Sequence, residues 1–115
     1  MTETANSAAD ISTVEQKLLE GQAVEGIRMC YDPEIPVNIY DLGLIYDVRV
    51  DSKAEATITM TLTSPHCPAA QTLPKDVETR VRMVPGMRDV HVSVVWEPSW
   101  NPSMMTEAAK LELGF

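Results

Sequence analysis

The sequence lacks the residue patterns that several classes of protein need. It contains only two cysteines, Cys30 and Cys67, and neither belongs to a CxxC pair. An HExxH motif, a GxSxG nucleophile elbow and a glycine-rich phosphate loop are also absent. One monomer therefore cannot supply the four cysteines of a closed zinc or iron–sulfur site. With two histidines and no catalytic constellation, we expect a protein that is not an enzyme.

Positive charge and long apolar runs are scarce as well. Nine basic residues face 17 acidic ones, a net charge of −8, which argues against binding nucleic acid or an anionic membrane. No apolar run approaches the ~20 residues of a membrane-spanning helix. The polar start of the chain lacks the basic and apolar stretches of a signal peptide. We expect a cytoplasmic protein whose thiols stay reduced.

Hydrophobic periodicity predicts one α+β domain from residue 12 to residue 115, after a disordered leader at 1–11. Ser12 and Glu15 stand at capping-box spacing, so a helix should begin there and break near Gly21. The residues 57–62 alternate between apolar and threonine, as in a half-buried strand. The predicted order is α-β-β-α-β-α, a three-stranded sheet with helices on one face, with the remaining elements at 23–31, 45–50, 68–83, 90–96 and 104–113.

Cys67 is the residue most able to act as a reactive group. It precedes Pro68, a residue favoured in the first turn of a helix, so Cys67 should lie near a helix N-terminus. The positive end of the helix dipole would lower the pKa of its thiol and favour the thiolate, which binds iron and attacks electrophiles. The alternative is a small apolar residue that fills a turn.

The other candidate residues have simpler explanations. His66 could ligate metal or face solvent, and His91 should be structural or exposed. Cys30 should be an inert buried thiol. The acidic residues Asp32, Glu34 and Asp41 flank a proline turn, which favours capping and loop hydrogen bonds over acid–base chemistry.

Three motifs in order resemble the small iron–sulfur cluster assembly domains that include SufT-like and PaaD-like proteins. They are the stretch from Asp32 to Tyr46, the turn Thr63-Ser64-Pro65-His66-Cys67-Pro68, and Val84-Pro85-Gly86 followed by the strand that ends at Trp96. The tail from Trp96 to Gly114 resembles the Suf-associated bacterial branch. Together the similarity covers about residues 23 to 115. His66 stands where many relatives have glycine.

The resemblance implies an iron–sulfur assembly or delivery factor with Cys67 as its functional thiol. It also implies that Asp32, Glu34, Asp41 and Thr63 shape the site, and we add His66 as a further candidate. Cys67, with His66 as a second candidate ligand, would hold iron or a cluster transiently, with none tightly bound in a monomer. The expected partners are assembly proteins or apo clients. A homodimer that pairs two Cys67 and two His66 side chains is a further alternative, because such a set can hold a two-iron cluster.

Two competing functions remain open on the sequence. One is an accessory role in a phenylacetate-type multicomponent oxygenase, although those relatives often carry a cysteine-rich tail that this sequence lacks. The other is a protein-interaction module without metal chemistry, whose docking surface would be the tail residues Trp96, Trp100, Met104 and Met105. A tail that simply covers the sheet explains the same residues.

Overall fold

The computed structural model describes residues 10–31, 35–63 and 69–114. Helices and strands follow in the order α1 (Thr13–Ile27), α2 (Ile39–Leu42), β1 (Ile45–Val50), β2 (Glu55–Met60), α3 (Ala69–Arg82), β3 (Asp89–Val94), a 3₁₀ turn (Pro102–Met104) and α4 (Glu107–Leu113). The predicted α+β class and three-stranded sheet are therefore confirmed, with one short helix, α2, that was not predicted.

The sheet has the order β1-β2-β3, with β2 in the centre. β1 and β2 form an antiparallel hairpin, whereas β2 and β3 run parallel because α3 carries the chain back along the sheet. The alternation predicted for β2 is present: Ala56, Ile58 and Met60 are buried, while Thr57 is exposed. The helices α1 and α3 cover the buried face.

The first helix departs from the prediction because it is continuous through Gly21 and ends at Ile27 rather than Tyr31. The predicted capping box between Ser12 and Glu15 is confirmed at its start. Gly21 and Gly26 each cost the helix about 1 kcal/mol in propensity. Packing of the buried residues Leu19, Ala23 and Ile27 offsets that cost.

The end of α1 has a separate cause in the chain that follows it. Tyr31 pairs with Asn38 in an isolated bridge, and the Ile39 N–H donates to the Cys30 carbonyl at 2.9 Å. Both contacts need extended backbone, so the helix cannot continue to Tyr31. The leader prediction overlaps the described residues only at Asp10 and Ile11. The Ile11 N–H donates to the Ser52 carbonyl at 2.7 Å, so this residue is attached to the domain, while residues 1–9 lie outside the described part.

The last predicted helix is also shorter than expected. Residues 102–104 form a 3₁₀ turn, and α4 begins only after Thr106. The backbone of Thr106 is extended, and its side-chain hydroxyl accepts a hydrogen bond from the Ala109 N–H. Gly114 caps the C-terminal end of α4, with a left-handed φ of 83°. Met105 lies between the 3₁₀ turn and α4 and is buried, with 5% exposure. Its burial attaches this part of the chain to the domain.

Candidate functional site

Parallel pairing brings the carboxyl ends of β2 and β3 to the same edge of the sheet. Met60 lies opposite Val94, and the Val95 N–H donates to the Met60 carbonyl at 2.8 Å. The approach to β1 starts at this edge too, because the Thr61 N–H donates to the Leu44 carbonyl at 2.8 Å. The chain that leaves β2 and the chain that leaves β3 therefore emerge side by side.

The segment 95–114, here named the C-terminal tail, folds back over this edge. The Trp100 indole Nε1 donates to the Leu42 carbonyl at 2.8 Å, and the Thr106 N–H donates to the Asp41 carbonyl at 2.9 Å. The Tyr46 hydroxyl donates to the Pro98 carbonyl at 2.6 Å. These contacts span α2 and the start of β1, so the tail is a fixed part of the domain. They favour the covering role of Trp100 and Met105 over a free docking surface.

A groove lies between the end of β2 and the C-terminal tail. It encloses about 430 Å³ and is lined by Thr61, Leu62, Thr63, Trp96, Glu97, Ser99 and Trp100. Thr61 is 1% exposed, and its hydroxyl Oγ1 has no hydrogen-bond partner among the described residues. A buried hydroxyl without a partner costs free energy, and this oxygen has almost no exposed surface, so it lies behind the wall of the groove and not on it. We name this feature the tail groove.

Asp41 occupies the other side of the tail. Its backbone N–H donates to the Asn38 side chain at 2.9 Å, and its carboxylate accepts from the Asn38 amide at 3.0 Å. Arg28 lies 3.9 Å from the same carboxylate and stacks over the Tyr40 ring. The capping and loop contacts predicted for Asp41 are confirmed, since Asn38 is the N-cap of α2. The carboxylate is therefore held in place by neighbours on two elements.

The structure separates the two predicted site residues that it describes. Asp41 lines a concavity of about 220 Å³ beside α4, whereas Thr63 lines the tail groove. Cys67, His66, Asp32 and Glu34 lie outside the described residues, so their roles stay predictions. The described residue that follows Cys67 most closely, Ala69, is the first residue of α3.

Cys30 is the buried inert thiol that the sequence predicts. It is 5% exposed, and its Sγ lies 4.0 Å from the Gly26 carbonyl. Burial raises the pKa of this thiol, the negative charge of Asp76 raises it further, and Arg80 opposes both. Cys30 therefore stays protonated at neutral pH and offers neither a nucleophile nor a thiolate ligand.

His91 is exposed on the open face of the sheet, which is one of the two alternatives predicted for it. Its Nε2 lies 3.3 Å from the Asp89 carboxylate. The pKa of Asp89 is lowered mainly by the hydrogen bond that its carboxylate accepts from the Val90 N–H, and the Arg82 side chain lowers it further.

Within the described residues, no group of three or more His, Cys, Asp or Glu side chains could hold a metal ion. None of the described helices is long and apolar enough to cross a bilayer.

Sequence reasoning missed Thr61 as a candidate. The alternation of β2 placed it with Thr57 and Thr59 on the polar face, but the strand ends at Met60 and Thr61 turns inward. A strand limit set two residues too late caused the error. The signal that could have identified Thr61 is that the end of β3 lies beside the end of β2. That arrangement depends on the parallel pairing of the two strands, which the local sequence does not show.

The chain belongs to the family described as "Iron-sulfur cluster assembly protein", which it matches over residues 20–94. It is 52% identical over 96 residues to an "Fe-S protein maturation auxiliary factor" from Porphyromonas gingivalis, covering 84% of this chain and 91% of that protein. It is 41% identical over 86 residues to the "Fe-S protein maturation auxiliary factor SufT" from Staphylococcus aureus, covering 75% and 98%. The SufT-like resemblance drawn from the motifs is thus confirmed.

A solved structure supports the same fold. The crystal structure of "Domain of Unknown Function DUF59" from Bacillus anthracis superimposes with a TM-score of 0.84 at 37% identity, covering 90% of this chain and 99% of that one. The α+β fold of this chain is therefore that of a known domain.

Proposed function

We propose that this protein assists the maturation of iron–sulfur proteins, with an iron–sulfur cluster or its components as cargo. The observation that carries this proposal is the 52% identity to a relative named for that role, over 91% of the relative's length. Two further relatives, from S. aureus and Bacillus subtilis, carry the same description. These names favour maturation over an oxygenase accessory role.

Cys67 is the thiol that we assign to this function. The other cysteine, Cys30, is buried and its pKa is raised, so it is a poor thiolate donor. Thr63 lines the tail groove four residues before Cys67, and Ala69 begins α3 two residues after it. Thr63 thus places the start of this segment at the sheet edge where the groove lies, which supports a site at this edge.

The proposed role needs no chemical catalysis by this chain. A single thiolate provides one ligand, so the remaining ligands of a transferred cluster come from a partner protein, from small thiols or from a second subunit. Transfer by ligand exchange is consistent with an auxiliary factor that acts in the cytoplasm on assembly proteins or apo clients.

Complementation with the two single-cysteine variants tests the proposal. In a strain that lacks the protein, Cys67→Ser should fail to restore the specific activity of iron–sulfur enzymes, whereas Cys30→Ala should restore it. Both variants must accumulate to the wild-type level, which an immunoblot checks. Full restoration by Cys67→Ser at equal abundance would remove the thiol from the mechanism.

A further inference from the structure

β1 forms one edge of the sheet, since the strand order is β1-β2-β3. The Asp51 N–H donates to the Glu55 carbonyl at 3.1 Å, toward β2. The Val50 N–H points the other way and donates to the Glu20 carboxylate on α1 at 3.0 Å. Successive residues of a strand alternate in this respect, so the N–H and C=O groups of Val48 also point outward. No described residue forms a hydrogen bond with these two outward groups of Val48.

A groove follows this edge between β1 and α1. It consists of two adjoining hollows of about 370 and 640 Å³, which share the lining residues Lys17, Glu20, Asp47 and Val48. Gly21 forms part of the α1 wall, and a Cβ added there would meet no atom of another element within 4 Å. We name this space the edge groove. A free sheet edge with open space beside it is a place where an extended peptide can add a strand.

Contacts at both ends limit the open part of the edge. The pairing of β1 with β2 shifts register at Tyr46, whose hydroxyl donates to the Pro98 carbonyl in the tail. Beyond the other end of the strand, the Ile11 N–H donates to the Ser52 carbonyl. The residues between these contacts, 47–51, span about 16 Å of extended chain. The edge groove therefore has room for an extended segment of four or five residues.

Side-chain charges select the sequence of that segment. Asp47 and Arg49 pair with each other at 2.7 Å on the open face of the sheet, with side chains that are 46% and 79% exposed. So exposed an ion pair contributes little and is readily exchanged. Opposite charges directly across two strands stabilise their pairing, and like charges oppose it. An antiparallel segment fits when an acidic residue lies opposite Arg49 and a basic residue lies opposite Asp47.

The residue between these two charges should be apolar. It would lie opposite Val48, and residues directly opposite each other in a sheet point to the same face. That face is the one covered by α1, where Val24 and Tyr40 line the edge groove. From its N-terminus, the segment therefore has the order acidic, apolar, basic.

A second copy of this chain carries the same order in its own β1, as Asp47-Val48-Arg49. Pairing of two β1 strands would, however, bring the two α1 helices against each other. The reason is that α1 stands close to this edge, since the Glu20 side chain reaches the Val50 N–H. A segment without a helix beside it avoids this conflict, which favours a partner protein over a second copy.

We propose that the edge groove binds an extended segment of a partner protein as a fourth, antiparallel strand of the order acidic, apolar, basic. The segment exchanges two backbone hydrogen bonds with Val48 and replaces the Glu20 carboxylate at the Val50 N–H. Main-chain bonds then supply affinity, and the Asp47 and Arg49 charges supply specificity. The inference goes beyond the proposed function, because it needs neither the Cys67 thiol nor a cluster.

Peptide titration followed by NMR tests the edge groove directly. The probe is acetyl-Thr-Val-Glu-Val-Lys-Thr-amide, and the matched control is acetyl-Thr-Val-Lys-Val-Glu-Thr-amide, which has the same composition with its charges interchanged. The probe should shift the Val48 and Val50 N–H signals, with a dissociation constant on the order of 0.1–1 mM. It should also slow hydrogen exchange at Val48 several-fold while leaving Arg49, which faces β2, unchanged. The control should bind at least about fivefold more weakly, and equal binding of the two peptides would overturn the assignment.

A charge-exchange variant links the preference to the two named side chains. The double variant Asp47→Arg with Arg49→Asp keeps the composition of the strand and changes only exposed positions. It should reverse the preference and bind the control peptide at least about fivefold more tightly than the probe. An unchanged preference would show that these charges do not face the peptide and would reject the proposed register.

Glu20 provides a test with the opposite sign. Glu20→Ala should bind the probe several-fold more tightly than the wild type, because the peptide no longer displaces a carboxylate from the Val50 N–H. Glu25→Ala, an exposed residue of α1 outside the edge groove, should leave the affinity unchanged. Weaker binding to Glu20→Ala at unchanged fold would contradict the displacement.

Two further outcomes separate this inference from its competitors. Cys67→Ala should bind the probe as well as the wild type does. Protection of the Val48 N–H without peptide that rises with protein concentration would assign the edge to a second copy and overturn the partner assignment. If the Val48 and Val50 signals do not shift up to about 10 mM probe, the edge site is rejected and the maturation proposal stands.

Discussion

Gly43 is the position where a single methyl group should release the C-terminal tail. This residue follows α2 with a left-handed φ of +91°, a conformation that disfavours other residues. A Cβ added there would lie 2.5 Å from the Met104 carbonyl oxygen and 2.8 Å from its carbon. Both atoms belong to the backbone, so no side-chain rotation relieves the clash. The Gly43→Ala protein must therefore strain its own backbone and also separate the tail from α2.

The cost follows from the contacts that separation breaks. The left-handed conformation costs an alanine roughly 1–2 kcal/mol. Loss of the hydrogen bond from Trp100 to the Leu42 carbonyl costs about 1 kcal/mol. Partial exposure of Met105, which is 5% exposed in the native protein, adds up to about 2 kcal/mol. We expect Gly43→Ala to lower the free energy of unfolding by about 2–5 kcal/mol.

Gly86→Ala is the matched control. Gly86 has nearly the same left-handed φ, +94°, but its added Cβ would meet only Leu19 Cδ2, at 3.7 Å, an ordinary contact. This variant should lose only the conformational part, about 1–2 kcal/mol. Urea unfolding followed by circular dichroism measures both values, and tryptophan emission in dilute buffer reports release of the tail. Equal losses in the two variants, within about 0.5 kcal/mol, would refute the clash argument.

Two further variants test the core and the buried thiol. Leu73→Ala removes a side chain that is 1% exposed and should cost about 2–5 kcal/mol in urea unfolding, whereas Leu111→Ala, at 78% exposure, should stay within about 0.5 kcal/mol of wild type. The pKa of Cys30 is raised in the folded protein, so as pH rises the unfolded state loses the thiol proton first. The contribution of Cys30 to the free energy of unfolding is therefore fully present below the ordinary thiol pKa and is lost as pH rises through the folded pKa. Cys30→Ala should flatten that decline in urea midpoints measured between about pH 8 and 10, and an unchanged slope would contradict it.

The strands could be predicted because their signal is local. β1 was predicted at the residues where it occurs, and the alternation Ile58, Met60 located β2 within two residues at each end. The helix α1 was harder, since Gly21 lowers local propensity and only packing of its buried stripe keeps the helix intact. Local propensity cannot report that packing, so the predicted break was wrong.

The candidate site could be predicted only in part. The cysteine motif and the family role followed from the sequence, as did the capping contacts of Asp41. The tail groove did not follow, because its walls come from residues 61–63 and 96–100, which no local pattern connects. The Trp100 anchor on the Leu42 carbonyl likewise joins segments far apart in the chain.

The length of α3 explains why these segments meet at all. A helix of 14 residues rises about 21 Å, close to the ~20 Å of a six-residue strand. After β2, α3 therefore carries the chain back by about the length of one strand. β3 can then begin at Asp89, which pairs with Glu55 at the start of β2. β3 then returns to the edge where β2 ended, and the tail begins beside Thr61. Had β3 been antiparallel to β2, Trp96 would stand about 20 Å from Thr63 and the groove could not form. The position of the site thus depends on the parallel crossover, and its chemistry on the few residues that follow the two strands.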